Sequence, residues 1–233
     1  MSSEDVTICI TMGLRPELLR KTLLSLGTLV CEFSVLAVND FGDEETNREF
    51  RSICPNGRII DLGGHVGHHA AVDRMYRQVR TPYVMHLEDD WHFDRLDFLP
   101  ASLSLLQRNE AISSVCLRSV DDFALKEDES SRMVFSSIGE TRFARLDGLH
   151  PQWHGFTFNP HLSRRADWEN LQGFSRFKKE RHVSRAMRRQ GRFVAYLDPG
   201  ACRHIGWTES VAQPPMSSFK KFKKWARGRV LQR

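Results

Sequence analysis

The chain has 233 residues, of which 40% are hydrophobic and 27% are charged, a balance typical of soluble globular proteins. This composition argues against disorder over most of the chain, and the length suffices for one large α/β domain or one domain with a small subdomain. The formal net charge of +5 suits a polyanionic or phosphorylated partner.

The cysteines and the apolar runs indicate the cellular compartment in which we expect the protein. The five cysteines are scattered and form no Cys-x-x-Cys pair, so neither a zinc knuckle nor a disulfide framework is indicated. The N-terminus shows no charged-then-apolar signal sequence, and no run reaches the roughly 20 apolar residues of a membrane helix. We therefore expect a cytoplasmic protein with reduced thiols that spans no membrane.

The first half of the chain alternates between strands and helices. Runs of β-branched and apolar residues predict strands at residues 6–11, 33–38, 58–62 and 83–87. Apolar residues at helical spacing behind Pro16 predict the first helix, and further helices are predicted at 44–52 and 66–79. This alternation predicts an α/β fold in which a mostly parallel sheet is flanked by helices.

The second half is less regular. Helices are predicted at residues 96–106, 162–171 and 178–189, and strands at 112–117, 133–138, 193–197 and 202–205. Between about residue 119 and residue 150 the pattern degrades around a polar, charged loop. We expect the globular part to end near residues 213–215, where two prolines follow a glutamine.

Three consecutive acids, Glu88, Asp89 and Asp90, follow the fourth predicted strand. Adjacent carboxylates repel one another, and a divalent cation that prefers oxygen ligands offsets this cost. Ligands of open α/β sheets bind beyond the carboxyl ends of the strands, which is where the triplet falls. A solvated acidic turn is the alternative interpretation, but the position of the triplet favours a divalent-metal site.

Several segments resemble the GT-A glycosyltransferases, family 2 in particular. The strand at residues 6–11 and the RPELL sequence at residues 15–19 are similar to that family's opening strand and helix start. Residues 38–42 (VNDFG) are similar to its V-x-D-D-G segment, and residues 67–90 to its helix, strand and D-x-D motif. The resemblance covers residues 6–93 well and extends more loosely to about residue 207.

The resemblance implies a GT-A, Rossmann-like fold with a smaller acceptor-side portion, and a UDP- or GDP-sugar lying across the strand ends. It places Asp40 on the nucleoside, Thr11 and Arg15 beside it, and Asp89 near the ribose or the sugar. A solvated helix-start cation is the alternative for Arg15, and a turn residue is the alternative for Asp40. The remaining residues implied to bind the donor are Gly64, His65 and Glu88.

The resemblance also implies that Asp90 binds a Mn²⁺ or Mg²⁺ bridging the two phosphates, and that His204 completes the metal shell or touches the diphosphate. Such a cation stabilises the charge that develops on a diphosphate leaving group. The alternative for His204 is a partly buried histidine whose ring nitrogens form hydrogen bonds with the backbone. His65 and His69 stand four apart without the glutamate of an HExxH zinc motif, so a helix start facing the diphosphate is favoured there.

For the catalytic base the resemblance implies Glu180, in a segment where the family carries an acid pair and Arg181 here replaces the second acid. In inverting enzymes such a base deprotonates the acceptor hydroxyl. The basic neighbours predict a lowered pKa for Glu180. The alternative role is that of an ordinary helix-surface partner to Ser184, Arg181 or Arg185. The other acids considered as the base are Asp121, Asp122 and Asp147.

Aromatic and polar residues predict an acceptor-binding loop at Trp153, His154 and Asn159. Aromatic faces stack on sugar rings, while imidazole and amide groups offer hydrogen bonds. Core packing is the competing interpretation, and we expect it for Phe156 and Phe158 if their side chains alternate inward.

Residues 219–230 carry an apolar stripe at helical spacing among lysines and arginines, and no acid. The pattern predicts an amphipathic helix on an anionic membrane surface, which would make the protein peripheral on the inner face of the cell membrane. Nucleic-acid binding and a disordered tail are the alternatives, and no nucleic-acid partner is expected.

Together these features predict a metal-dependent, inverting glycosyltransferase that moves a sugar to a glycan or lipid-linked acceptor in surface polysaccharide synthesis. We expect a nucleotide-sugar-binding half at residues 1–95, an acceptor-binding and catalytic half at 96–215, and a basic amphipathic tail at 216–233. The alternatives are a nucleotidyltransferase with a similar acidic metal site and a non-catalytic module that binds sugar or nucleic acid.

Overall fold

The computed structural model describes residues 4–206, and its strands fall into a large sheet and a small one. The strands are β1 (Val6–Met12), β2 (Ser34–Asn39), β3 (Arg58–Ile60), β4 (Tyr83–Glu88), β5 (Trp91–Phe93), β6 (Ile112–Cys116), β7 (Val134–Ile138), β8 (Thr141–Arg145), β9 (His161–Arg164), β10 (Phe193–Asp198) and β11 (Cys202–His204). The helices are α1 (Pro16–Ser25), α2 (Leu29–Glu32), α3 (Glu44–Ile53), α4 (His68–Tyr76), α5 (Phe98–Arg108), α6 (Glu127–Ser130), α7 (Arg165–Asn170) and α8 (Glu180–Arg189), with a 3₁₀ turn at Val120–Asp122.

The large sheet has nine strands in the order β3-β2-β1-β4-β9-β6-β10-β8-β7. The strands of the first half, β1 to β4, pair in parallel as predicted. In the second half β9 runs antiparallel between β4 and β6, and β8 runs antiparallel between β10 and β7. The sheet as a whole is therefore mixed, and the predicted α/β class is confirmed.

The prediction of a helix at residues 162–171 is wrong in its first part. Residues His161–Arg164 form β9, and the helix α7 begins only at Arg165. The strand fills the space between β4 and β6, so backbone groups on both of its sides are paired. Satisfying buried N–H and C=O groups in this way outweighs a short stretch of helical side-chain spacing.

Two apolar layers enclose the large sheet. Because successive strand residues face opposite sides, Ile8 and Ile10 enter the layer beneath α1, α2, α3 and α5, whereas Cys9 enters the layer beneath α4, α7 and α8. The second layer contains Phe156 and Phe158, which are 3% and 4% exposed, so the core-packing interpretation of these two residues is confirmed. Burial of each large apolar side chain stabilises the fold by about 1.5–3 kcal/mol.

The parallel order of β1, β2 and β4 brings the carboxyl ends of these strands to one edge of the sheet. The small antiparallel sheet of β5 and β11 lies next to that edge, because β5 begins three residues after β4 ends. Within residues 4–206 no helix combines the length and apolarity needed to cross a bilayer. The predicted amphipathic helix at 219–230 and the tail at 216–233 lie outside the described residues.

Candidate functional site

A cleft of about 630 Å³ opens at the carboxyl ends of β1, β2 and β4. It brings together seven residues that the sequence predicts to bind donor or metal, and these are Thr11, Arg15, Asp40, His65, Glu88, Asp89 and Asp90. Gly64 lies beside the cleft, immediately before His65, and does not line it. Convergence at one edge follows from the strand order, while the individual binding roles stay predictions.

Asp40 fixes one wall of the cleft by joining the end of β2 to the start of α4. Its carboxylate accepts hydrogen bonds from the backbone N–H groups of Val66 and Gly67, at 2.7 Å and 2.9 Å. Gly67 has a φ of 88°, a conformation that side-chain-bearing residues rarely adopt. Asp40 thus already supplies negative charge at this helix start, where the dipole favours it.

His65 and Phe41 form an aromatic rim above Asp40. Their rings stack with centroids 5.4 Å apart, and Nδ1 of His65 lies 3.0 Å from a carboxylate oxygen of Asp40. Phe41 is 44% exposed, so a planar ring has an accessible face to pack against. His65 precedes α4, which begins at His68, so His65 and His69 do not share a helical face.

The acidic triplet points into the protein and not into bulk water. Asp89 and Asp90 are 1% and 6% exposed, and Arg15 forms ion pairs with both. Gly13 donates its backbone N–H to Asp89 at 3.0 Å. The alternative of a solvated acidic turn is therefore wrong.

Burial dominates the electrostatics of this triplet. It raises the pKa of Asp89 to about 6, although the charge of Arg15 and the Gly13 N–H act in the opposite direction. It also raises the pKa of Glu88 to about 8, and the neighbouring charges of Asp90 and Glu180 add to the shift. Burying several carboxylates side by side costs free energy, through desolvation and mutual repulsion, and does not stabilise the fold. Such groups with shifted pKa values are therefore typical of functional sites.

His204 reaches the triplet from the far end of the described chain. Its Nε2 lies 3.1 Å from Oδ2 of Asp90, and its ring packs against Trp91 at 5.0 Å between centroids. The pairing of β11 with β5 sets His204 opposite Trp91. Gly206 makes the approach possible, since a Cβ at that position would come within 2.6 Å of the Asp90 side chain.

The residues at this point fit a hard divalent cation. Among the described residues, buried Oδ1 of Asp90 finds no hydrogen-bond partner, and carboxylate oxygen and imidazole nitrogen are ligands that Mn²⁺ accepts. Within residues 4–206 no group of three or more His, Cys, Asp or Glu side chains is placed to hold a metal by itself. The residues present would therefore supply one or two side-chain ligands to such a cation.

Glu180 begins α8, and its side chain is directed inward. Its Oε1 lies 3.4 Å from the backbone N–H of Phe158, which donates to it. Burial raises the pKa of Glu180 despite hydrogen bonds from Phe158 and Thr157, so the predicted lowering by basic neighbours is wrong. Those neighbours, Lys179 and Arg181, are exposed, and the charge of Glu180 acts instead on Glu88 in the cleft.

The other acids considered as a base have different surroundings. Asp147 pairs with Arg145 at 2.9 Å, and Asp122 pairs with Arg118 at 3.7 Å. Asp121 is exposed beside Ser119. None of these three acids lines the cleft described above.

The predicted acceptor residues do not line the cleft either. Trp153 is 37% exposed, whereas His154 is joined by Nδ1 to the Tyr196 hydroxyl at 2.8 Å. Asn159 donates from Nδ2 to Oγ1 of Thr157 at 2.6 Å. Asn159 is thereby bonded to the loop of Thr157 and Phe158, which also contacts Glu180. The His154 ring, in contrast, is engaged in a hydrogen bond within the protein.

Asp73 of α4 is a buried anchor that the sequence analysis missed. It accepts hydrogen bonds from Nε1 of Trp168 at 2.7 Å and from the backbone N–H groups of Phe174 and Ser175 at 2.7 Å and 2.9 Å. These bonds fix the turn that leads into α8 and therefore the position of Glu180. An acid amid an apolar helical face is the signal that identifies such an anchor.

Three imidazoles lead from the wall of the cleft, which His68 lines, into the interior, and the sequence analysis did not predict their contacts. His86 of β4 and His161 of β9 are fully buried and stack at 5.4 Å, and His68 packs against His86. Burial lowers the pKa of His161 and of His68 to about 4, and burial also lowers the pKa of His86. All three are neutral at pH 7.

Neither a protein family nor a curated protein matches the sequence. Mannosyltransferase PcManGT from Pyrobaculum calidifontis, solved in complex with GDP-Man and Mn²⁺, is similar with a TM-score of 0.60 and 14% identity, over 82% of this chain and 56% of that protein. S. aureus TarS 1–349 in complex with UDP-GlcNAc is similar with a TM-score of 0.55 and 13% identity, over 88% of this chain and 62% of that protein. The same protein in complex with UDP gives a TM-score of 0.56 at 11% identity.

At these identities the likeness establishes the fold. The chain has an α/β, GT-A-like glycosyltransferase fold, as the sequence predicts. It spans a little over half the length of the matched proteins, from 56% to 62%.

Proposed function

We propose that the protein is a metal-dependent glycosyltransferase that transfers a sugar, with inversion, from a UDP- or GDP-sugar to a glycan or lipid-linked acceptor. The observation that carries this proposal is the buried acidic floor of the cleft, where Arg15 and His204 meet Asp90 at the carboxyl ends of parallel strands. In support, the fold is shared with a mannosyltransferase solved with GDP-Man and Mn²⁺.

The donor belongs to the half of the protein formed by residues 1–95. Phe41 and His65 offer a stacked rim for the base, with Thr11 and Asp40 toward the nucleoside. Asp89 and Glu88 lie deeper, toward the ribose and the sugar, and Gly64 shapes the loop at the cleft edge. A pocket of about 630 Å³ is of the size that encloses a ligand as large as a nucleotide.

Asp90 and His204 would hold the Mn²⁺ or Mg²⁺. When bound, such a cation neutralises charge on the diphosphate as it leaves. Arg15 contributes a permanent positive charge, because a guanidinium stays protonated. Its ion pairs with Asp89 and Asp90 hold that charge at the same place. It orients the two carboxylates and adds to the field that favours an anionic leaving group.

Glu180 would take the proton of the acceptor hydroxyl. As the bond from the acceptor oxygen to the sugar carbon forms, the bond from that carbon to the diphosphate oxygen breaks, and the proton passes to the Glu180 carboxylate. Attack from the side opposite the leaving group inverts the configuration. The inward orientation and raised pKa of Glu180 suit a general base.

The acceptor belongs to the half formed by residues 96–215, with Trp153, His154 and Asn159 as candidate contacts. The basic segment at 219–230 would hold the protein on an anionic membrane at the inner face of the cell, where lipid-linked acceptors of surface polysaccharide synthesis are presented. Both assignments rest on residue type and position.

The test is titration with UDP- and GDP-sugars, with and without Mn²⁺, followed by product analysis. Metal-dependent binding and release of a nucleoside diphosphate are expected. Release of pyrophosphate would identify a nucleotidyltransferase instead. A protein that binds no nucleotide under any metal condition would be a non-catalytic module.

A further inference from the structure

An unusually basic segment surrounds the start of α8. From Arg176 to Arg192 the chain carries eight lysines and arginines and a single acid, Glu180. We call five members of this segment the α8 patch, namely Lys178, Lys179, Arg181, His182 and Arg185. Lys178, Lys179 and Arg181 are exposed, and His182 and Arg185 are partly exposed.

The cations of the α8 patch differ from the basic residues around them. Arg192 pairs with Asp167, and Arg188 donates to the carbonyl oxygens of His150 and Trp153 at 3.0 Å. Within residues 4–206 no lysine or arginine of the patch forms an ion pair or hydrogen bond with a side-chain acid. The charges of the patch act on one another instead: partial burial and the nearby cations lower the pKa of His182.

Helix stability does not account for this arrangement. Cations in the first turn of a helix oppose the helix dipole, and like charges four residues apart repel one another. Arg181 lies in that first turn and is four residues from Arg185. The only acid of the segment, Glu180, points into the protein and so offers these cations no surface partner.

The α8 patch surrounds Glu180, the proposed base, in the chain. Glu180 is flanked directly by Lys179 and Arg181, and its charge acts on Glu88, which lines the cleft. Nδ1 of His69 lies 2.7 Å from the carbonyl oxygen of Phe177, which ties the residue before the patch to the α4 wall of the cleft. Lys179 and Arg181 are therefore exposed cations on either side of the proposed base in the chain.

We infer that the acceptor is anionic and that the α8 patch binds its phosphate groups while its hydroxyl reaches Glu180. Lysine and arginine are the side chains that recognise phosphate oxygens through charge-assisted hydrogen bonds. A field of one sign at the entrance of a cleft also steers an oppositely charged ligand toward it. This inference rests on the proposed transferase function and specifies the acceptor class.

The experiment measures binding of short-chain inorganic polyphosphate to the full chain by calorimetry. Saturating nucleoside diphosphate and Mn²⁺ occupy the donor cleft, so that polyphosphate cannot bind there. The test variant is the triple substitution Lys178→Gln, Lys179→Gln and Arg181→Gln. The control is the triple substitution Lys21→Gln, Arg48→Gln and Arg108→Gln, which removes equal charge from α1, α3 and α5 on the other side of the sheet.

We expect the patch variant to bind polyphosphate about tenfold more weakly than the wild type, and the control to bind like the wild type. The tail is the same in all three proteins and cancels in the comparison. No binding by the wild type would overturn the inference, and so would an equal loss in both variants, because net charge alone would then be responsible.

Two further measurements distinguish this inference from membrane binding by the patch and from failure of the proposed transferase function. Vesicles of phosphatidylserine and phosphatidylcholine replace polyphosphate in a parallel series. If the patch variant loses vesicle binding but keeps polyphosphate binding, the patch faces a membrane and the inference is wrong. Nucleotide binding is measured on the same samples: a protein that binds nucleotide but no polyphosphate contradicts the anionic acceptor, and one that binds polyphosphate but no nucleotide contradicts the transferase.

Discussion

Nε2 of His204 lies 3.1 Å from Oδ2 of Asp90, although 114 positions separate the two residues in the chain. Asp90 follows β4 directly, and His204 reaches it because β11 pairs with β5. The second oxygen of Asp90 has no hydrogen-bond partner in the part of the chain that the structure describes, residues 4–206. The pair thus combines a buried carboxylate with an imidazole at the floor of the cleft, and the proposed metal dependence centres on it.

Replacement of Asp90 by alanine tests that centre. We expect activity at saturating Mn²⁺ to fall by about 10²-fold or more, because the substitution removes the proposed main protein ligand of the cation. Asp128→Ala, an exposed acid on α6, is the control and should leave activity unchanged. Steady-state rates across a Mn²⁺ series, with circular dichroism to verify folding, provide the measurement; full turnover by the Asp90 variant would refute the metal assignment.

Glu180→Gln separates proton transfer from donor binding. We expect kcat to fall by about 10²-fold to 10⁴-fold, the range for loss of a general base, with a much smaller change in nucleotide affinity. The rate of the wild-type enzyme should rise with pH through a value above the ordinary 4.5, since burial raises the Glu180 pKa. Stopped assays over a pH series measure both effects, and an unchanged kcat would redirect the search to another acid.

Asp73 is expected to contribute to stability and to activity through α8. In Asp73→Ala the Trp168 indole and two backbone N–H groups lose their acceptor, which costs about 3 kcal/mol of unfolding free energy. The kcat should also fall, because the turn ahead of Glu180 loosens. Urea unfolding and steady-state kinetics on Asp73→Ala and on Asp73→Asn, which keeps one acceptor oxygen, check this; equal stability of the alanine variant and the wild type would contradict it.

The buried imidazoles make stability dependent on pH in the acid range. Burial lowers the pKa of His161 to about 4, whereas in the unfolded chain it is near the ordinary 6.5. Below pH 6.5 the unfolded chain binds a proton that the folded protein excludes, so stability is full above 6.5 and falls toward pH 4, by up to about 1.4 kcal/mol per pH unit for each such group.

Replacing His161 by phenylalanine should flatten this dependence. Denaturant unfolding measured at several pH values between 4 and 7 provides the comparison. His150→Gln removes an exposed histidine and should leave the slope unchanged. A slope that is identical in the wild type and in the His161 variant would contradict neutral burial.

Deletion from Phe219 onward tests the membrane proposal. We expect loss of association with vesicles that contain phosphatidylserine, because the basic and aromatic residues at 219–230 are removed. Turnover of a soluble acceptor should persist. Flotation with vesicles measures the first effect, and equal flotation of the truncated and full-length chains would exclude the membrane anchor.

The sequence predicted the site better than it predicted the second half of the fold. Thr11, Asp40 and Glu88 end parallel strands, and parallel strands in one sheet bring such residues to the same edge. The strand β9 escaped prediction because its four residues show too little alternation, and its pairing partners are remote in the chain. Pairing between strands that are remote in the chain cannot be predicted from a local pattern of residues.

Glu180 illustrates a different limit. Its charged neighbours are visible in the sequence, but the direction of each side chain is set by packing on Phe158 and by the turn that Asp73 anchors. Composition therefore gave the wrong sign for the Glu180 pKa shift. The contact between His204 and Asp90 was anticipated from family resemblance, and its geometry depends on the small sheet.

The position of β9 also constrains how the protein moves. Since β9 is hydrogen-bonded to β4 on one side and to β6 on the other, the strands of the first and second halves of the chain belong to one continuous sheet, and the two halves cannot separate without breaking those hydrogen bonds. For the proposed transferase, we therefore expect entry of substrate and release of product to depend on the segments at the rim of the cleft, such as residues 61–67, more than on any hinge between the two halves.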